Sequence, residues 1–193
     1  MMRAIIDEVG TDELEDWRAG LPTDSYATLV RAIAGQQLSN AAAAAIYRRL
    51  RERYGGRVPT PDEILAEQPE ELRVAAGLSH AKVRYLRSLA EHVLDGSLDL
   101  DGLDDLPDDE VIAQLVSVKG IGLWSAQIFL IVHLHRPDVL PVGDLGIRKA
   151  VMTRYGLAAL PGPDEVTAIA QPWRPYRTLA SLFLWRSLRT APV

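Results

Sequence analysis

Residues 115–126 read Leu-Val-Ser-Val-Lys-Gly-Ile-Gly-Leu-Trp-Ser-Ala, and the reading of Gly120-Ile121-Gly122 decides how the rest of the chain is understood. A helical apolar pattern ends near Val116 and a new one begins near Leu123. Two glycines flanking one apolar residue allow a tight hairpin, because glycine reaches positive φ at no steric cost. The second helix then presents backbone N–H groups at its N-terminus, and these with the local dipole bind a phosphate. Such a hairpin grips a nucleic-acid backbone without reading sequence. Taken alone, the stretch also fits an ordinary αα-turn.

Helical periodicity continues on both sides. Upstream, Ser25 to Gly56 repeats apolar residues at three and four, and Gly55-Gly56 stops the run. Thr60-Pro61-Asp62-Glu63 predicts a new helix with Thr60 as cap and proline in the first turn. Gln68-Pro69 opens a short helix ending at Gly77, and Ser79 caps a long one. Pro107 and the acids after it suit a helix N-terminus, where the dipole favours negative charge. Downstream, helices are predicted over Leu123–His135, Asp144–Tyr155, Pro163–Ala170 and Tyr176–Leu188. No strand alternation is found. The expected class is all-α, a compact bundle of about nine or ten helices. The alanine run Ala41–Ala45 predicts close helix packing. The acidic stretch near 95–107 is the expected soft boundary between two lobes of one domain spanning 1–193.

The 193 residues are enough for a sizeable core without disulfides or metal, and there is no cysteine. Cysteine-ligated iron–sulfur clusters and zinc–cysteine sites are thereby excluded. The start of the chain turns acidic at once and is not expected to be a signal peptide, and no apolar run reaches membrane-spanning length. A cytoplasmic protein is expected, nucleoid-associated in a bacterium. A net charge of −5 argues by itself against a nucleic-acid partner. The stretch 173–189, however, carries Arg174, Arg177, Arg186 and Arg189 with no acid, so one basic face remains open to it. His133, His135 and Asp138 match no recognised metal spacing and read as core or surface residues.

Four segments together resemble one family. VKGIGLWSA (118–126) is similar to the helix-hairpin-helix motif of the DNA glycosylase superfamily. That family carries a catalytic aspartate one helix further on, and Asp144 in LPVGDLGIRKA lies 22 residues beyond Gly122. AIAGQQLSNAAAAAI (32–46) resembles the element that inserts a side chain into DNA, and WRPYRTLASLFLWR (173–186) is similar to the closing helix of the alkylpurine glycosylases. The resemblance implies two lobes with the active site in the cleft between them. It also implies a partner, double-stranded DNA with alkylated bases, engaged by a monomer.

Its residue-level implications follow the motif. Asp144 would stabilise the oxocarbenium-like sugar as the N-glycosidic bond breaks, and its competing role is N-cap of the next helix. The position two after the second hairpin glycine carries lysine in members that form a Schiff base. Here it is Trp124, so water is the expected nucleophile and no lyase activity is expected. Trp124 also suits a cationic alkylated purine, since a cation over an indole gains roughly 0.5–2 kcal/mol when desolvated. Trp185 resembles a second wall of the base pocket, and Ile128 stands where larger bacterial enzymes have an aromatic. Gln37, with Leu38 beside it, matches the wedge. Lys119, Gly120, Ile121, Gly122 and Ser125 form the DNA-binding hairpin, and Arg148 and Lys149 are candidates for phosphate contact. No cofactor is expected to be required. By motif match the carbonyls of Val116, Val118 and Ile121 would hold a structural Na+ or K+. The extra N-terminal α/β domain of larger bacterial enzymes is not expected. Two alternatives stay open at this level: a glycosylase of this fold for another lesion, and a non-catalytic module that binds DNA structure.

Overall fold

A computed structural model describes residues 1–10 and 22–190. Among them are eleven α-helices and no strand: α1 (Met2–Val9), α2 (Ser25–Gly35), α3 (Asn40–Arg53), α4 (Pro61–Ala66), α5 (Pro69–Ala76), α6 (His80–Leu94), α7 (Asp108–Ser117), α8 (Leu123–Val132), α9 (Leu145–Tyr155), α10 (Pro163–Ile169) and α11 (Arg177–Thr190). The count exceeds the expected nine or ten for two reasons. Helix α1 carries no polar cap at its start, yet it forms because Ile5 buries completely. The run after Ser25 also breaks between α2 and α3, where Gln37 takes a left-handed φ of 58° and Ser39 caps a fresh helix.

The capping residues act as their chemistry predicts. Thr60 and Glu63 form a reciprocal capping box on α4, Ser79 caps α6, and Gly77 ends α5 in the left-handed conformation. Each such N-cap contributes about 1 kcal/mol. Helix α8 stops at Val132, short of the expected His135. His135 turns left-handed at φ 54°, and the Arg136 N–H reaches back to Leu130 O at 2.9 Å. None of the described helices is long and apolar enough to cross a membrane.

The chain divides into two compact units, one continuous (Leu21–Phe129) and one split (Met1–Gly20 with Leu130–Val193). The division falls within α8 and not at the acidic stretch 95–107, which lies inside the continuous unit. Leu98 and Leu103 bury completely there, so the acids around them decorate a packed turn and mark no boundary. The core of the continuous unit draws on α2 (Leu29, Val30, Ile33), α6 (Val83, Leu86, Leu89) and α7 (Val111, Leu115). The end of α2 meets α3 closely: a Cβ on Gly35 would stand 3.2 Å from Ala43, as the alanine run predicts.

The split unit is built around α9. Ile147, Ala150 and Val151 pack with Ile5 of α1, Val166 of α10 and Phe183 and Leu184 of α11. Arg154 at the end of α9 ties three helices together, donating to both Glu8 oxygens and to Ser187 O. Part of the arginine set near the end of the chain is paired with an acid. Arg177 holds Asp138 through both carboxylate oxygens and Arg174 lies 3.9 Å from it, so two of the four arginines face an acid. The Arg177 guanidinium keeps the Asp138 carboxyl below its usual pKa. The Arg189 side chain lies outside the described residues.

Candidate active site

In the continuous unit, the hairpin between α7 and α8 is tied to its own body at several points. Val118 N–H bonds Leu115 O and Ile121 N–H bonds Val118 O, closing the turn. From α6, Ser88 Oγ accepts the Lys119 N–H at 3.2 Å, and the Tyr85 ring lies under Gly120. From the α2–α3 turn, the Gln36 amide donates to Gly120 O at 2.7 Å. Gly120 has φ +95°, and a Cβ there would fall 2.2 Å from the Tyr85 ring. Gly122 has open space where its Cβ would be. The fold therefore demands glycine at 120 and makes no such demand at 122.

Several hairpin side chains face outward. Lys119 is exposed, Ser125 and Ile128 are half-buried, and Ile121 and Val118 are buried. Leu123 and Trp124, the first residues of α8, are about half exposed at 54% and 49%. A large aromatic left in solvent at a helix start is the informative case, since packing would bury it. Val116 and, on the α2–α3 turn, Leu38 are also exposed. Gln37 is exposed with them.

The end of α2 is anchored without an acid. Lys82 on α6 is 8% exposed, and its Nζ donates to Ala34 O at 2.8 Å. A cation at a helix C-terminus meets the negative end of the dipole. Burial pushes the ammonium below its usual pKa. Gln36, Lys82, Tyr85 and Ser88 thus hold the α2–α3 turn and the hairpin in register. Sequence reasoning passed over all four, because each acts through a contact distant along the chain.

In the split unit, Asp144 is the N-cap of α9. Its Oδ1 accepts the Ile147 N–H at 2.8 Å. The same oxygen accepts the Trp185 indole N–H at 2.9 Å. Gly146 leaves room for this pair, since a Cβ there would lie 2.9 Å from Asp144 Oδ1 and 3.1 Å from Trp185 Cδ1. Arg148 is engaged inside the unit, its Nε donating to Pro161 O at 2.7 Å, whereas Lys149 is exposed. No described group of three or more His, Cys, Asp or Glu residues is placed to hold a metal, and Asp138 is paired with Arg177.

Residues 30–175 match the model of the HhH-GPD superfamily base excision DNA repair proteins. The chain belongs to this superfamily. A DNA-3-methyladenine glycosylase of Schizosaccharomyces pombe is 35% identical over 87% of the chain and 74% of its own length. A second such glycosylase, from Escherichia coli, is 30% identical over 84% of the chain but only 57% of its own length. Among solved structures, a 3-methyladenine DNA glycosylase of S. pombe in complex with abasic DNA superposes with TM-score 0.84 at 32% identity, over 98% of the chain and 91% of that protein. The resemblance seen in the hairpin therefore extends over nearly the whole HhH-GPD chain, in its alkylpurine branch.

Proposed function

We propose that this HhH-GPD protein is a monofunctional DNA glycosylase acting as a monomer on duplex DNA. It turns out an alkylated purine of the 3-methyladenine or 7-methylguanine type and hydrolyses its N-glycosidic bond, leaving an abasic site. The observation that carries the reading is Asp144, a carboxylate fixed by two donors at the motif position downstream of a hairpin made for phosphate. Extrusion of the base costs a few kcal/mol. The hairpin N–H groups and Lys119 grip backbone phosphate, and Gln37 with Leu38 enters the gap left by the base. The Trp124 indole face receives the cationic purine. As the glycosidic bond lengthens, positive charge grows on the sugar and Asp144 stabilises it, while water supplies the nucleophile.

By motif match the carbonyls of Val116, Val118 and Ile121 would hold a hard monovalent cation, Val118 O keeping one lone pair for it beside the Ile121 N–H it already accepts. Such an ion would add positive charge against a phosphate.

Release of free methylated purine from DNA treated with a simple methylating agent tests the proposal. The expected product is an intact abasic strand, cleaved only after alkali. Recovery of no methylated base would refute the activity. Efficient borohydride trapping of an enzyme–DNA adduct would refute the monofunctional assignment, since Trp124 has no amine to form one.

The wedge yields a second expectation. Gln37 is held in a left-handed conformation that costs a non-glycine residue roughly 1–2 kcal/mol. Gln37→Gly relieves that cost, loosens the unfolded chain by a comparable amount, and should leave the melting temperature within a few degrees. Excision from duplex is expected to fall by about tenfold, equivalent to about 1.4 kcal/mol, while excision from single-stranded DNA changes little. An equal loss on both substrates would show that Gln37 is no wedge.

A further inference from the structure

The resemblance gave Trp185 to the wall of the base pocket, but the hydrogen bonds of the split unit assign it a different task. We propose that Trp185 is a positioning residue for Asp144, acting through its indole N–H; this rests on the glycosylase reading above. Trp185 lies on α11, partly buried against the core of the split unit. Its Nε1 donates to Asp144 Oδ1 at 2.9 Å, an oxygen that already accepts the Ile147 N–H at 2.8 Å. One donor makes a helix cap. A second donor, from a different helix, fixes how the carboxylate is rotated within that cap. A charge that stabilises a transition state must be held where the charge develops, and hydrogen bonds to its oxygens do this.

Two features of the surroundings support this use of the indole. Gly146 keeps the space between Asp144 and the pyrrole edge clear: a Cβ there would lie 2.9 Å from Oδ1, 3.1 Å from Trp185 Cδ1 and 3.4 Å from Nε1. The edge that carries the N–H therefore lies close to the first turn of α9. The helix bearing Trp185 is also fixed in register against α9, because Phe183 and Leu184 are buried in the same core and Ser187 O accepts from Arg154. A ring serving only as a pocket wall needs its face, and phenylalanine would supply one.

The test compares Trp185→Phe, which keeps an aromatic ring and removes the N–H, with Trp185→His, which is smaller but restores a ring N–H. Trp185→Phe is expected to slow single-turnover excision by about 10- to 100-fold, the range for one hydrogen bond to a charged group. Affinity for abasic duplex should be unchanged, and cationic and neutral lesions should lose equally. Trp185→His should recover part of the rate. In the Asp144→Asn background, Trp185→Phe should cost little more, because the two residues act as a unit. Near-normal excision by Trp185→Phe, or a full additive loss on Asp144→Asn, overturns the proposal.

Two measurements cover the remaining failures. If Trp185→Phe does not fold, Gly146→Ala retains both side chains but pushes them apart and should slow excision likewise; normal excision by Gly146→Ala then overturns the proposal. If wild-type protein releases no methylated base, the glycosylase reading has failed. The Trp185 indole N–H resonance still reads the contact, and it should move on Asp144→Ala. An unmoved resonance overturns the positioning role.

Discussion

Asp144→Asn is expected to lower single-turnover excision of a methylated purine by about two orders of magnitude or more, the scale for removing one preorganised electrostatic group. Its melting curve and duplex affinity should stay close to those of the wild type. The substitution separates two roles of this side chain. As N-cap it accepts the Ile147 N–H, and asparagine caps as well as aspartate does. The amide oxygen can also accept the Trp185 N–H. What disappears is the negative charge, whose favourable interaction with the helix N-terminus is worth only about 0.3–1 kcal/mol at an ordinary site. The same charge beside a cationic sugar, with water excluded, acts at low effective dielectric and is worth far more. Removing it does not weaken a contact with phosphates of the same sign. Close to wild-type excision by a variant that melts normally would reduce Asp144 to a helix cap and refute the mechanism.

The two hairpin glycines should respond in opposite ways. Gly120→Ala places a methyl group 2.2 Å from the Tyr85 ring on a backbone at φ +95°. Left-handed backbone costs an L-residue about 1–2 kcal/mol, and overpacking adds about 1–3 kcal/mol. The sum, about 2–5 kcal/mol, corresponds to a fall in melting temperature of roughly 4–20 °C for a chain of this size. Gly122→Ala meets nothing within 4 Å, so melting should be unchanged. The methyl group would instead obstruct a phosphate approaching the start of α8. Affinity for undamaged and abasic duplex should fall together, by about tenfold or more for one lost charge-assisted bond. Paired melting and binding curves decide the matter. Equal melting of both variants would mean that Tyr85 does not constrain the turn. Normal DNA affinity for Gly122→Ala would place the phosphate elsewhere.

This asymmetry shows where sequence reasoning reaches its limit. Both glycines were legible as a hairpin, because turn chemistry is local. The caps at Thr60, Ser79 and Asp144 were legible for the same reason, as were the proline starts of α4 and α5. The hairpin and Asp144, with the segments 32–46 and 173–186, together suggested the superfamily. Which glycine serves the fold depends on Tyr85, distant along the chain and carrying no signal of its own. Gln36 was hidden beside its more conspicuous neighbour Gln37, and nothing in the local sequence sets Lys82 apart. Trp185 was noticed for its ring, while its contact with Asp144 runs through the N–H. Helix α1 escaped because its acidic start drew attention to what it is not, although Met2, Ile5, Ile6 and Val9 recur at three and four and pack against the core of the split unit. The acidic stretch misled in the opposite sense: composition reported solvent exposure of the aspartates and concealed Leu98 and Leu103 beneath them.

The buried ammonium of Lys82 has a consequence for how ionic strength acts on this protein. Mobile ions screen exposed charges across a Debye length and reach buried ones far less. The end of α2 is held by a shielded cation on a neutral carbonyl, and the hairpin by the neutral amide of Gln36. Raising the salt concentration should therefore detach the protein from its polyanionic partner while the α2–α3 turn keeps its shape. A plot of log affinity against log salt then counts displaced counterions, at a slope of roughly −0.9 per phosphate, with little contribution from a changing protein conformation.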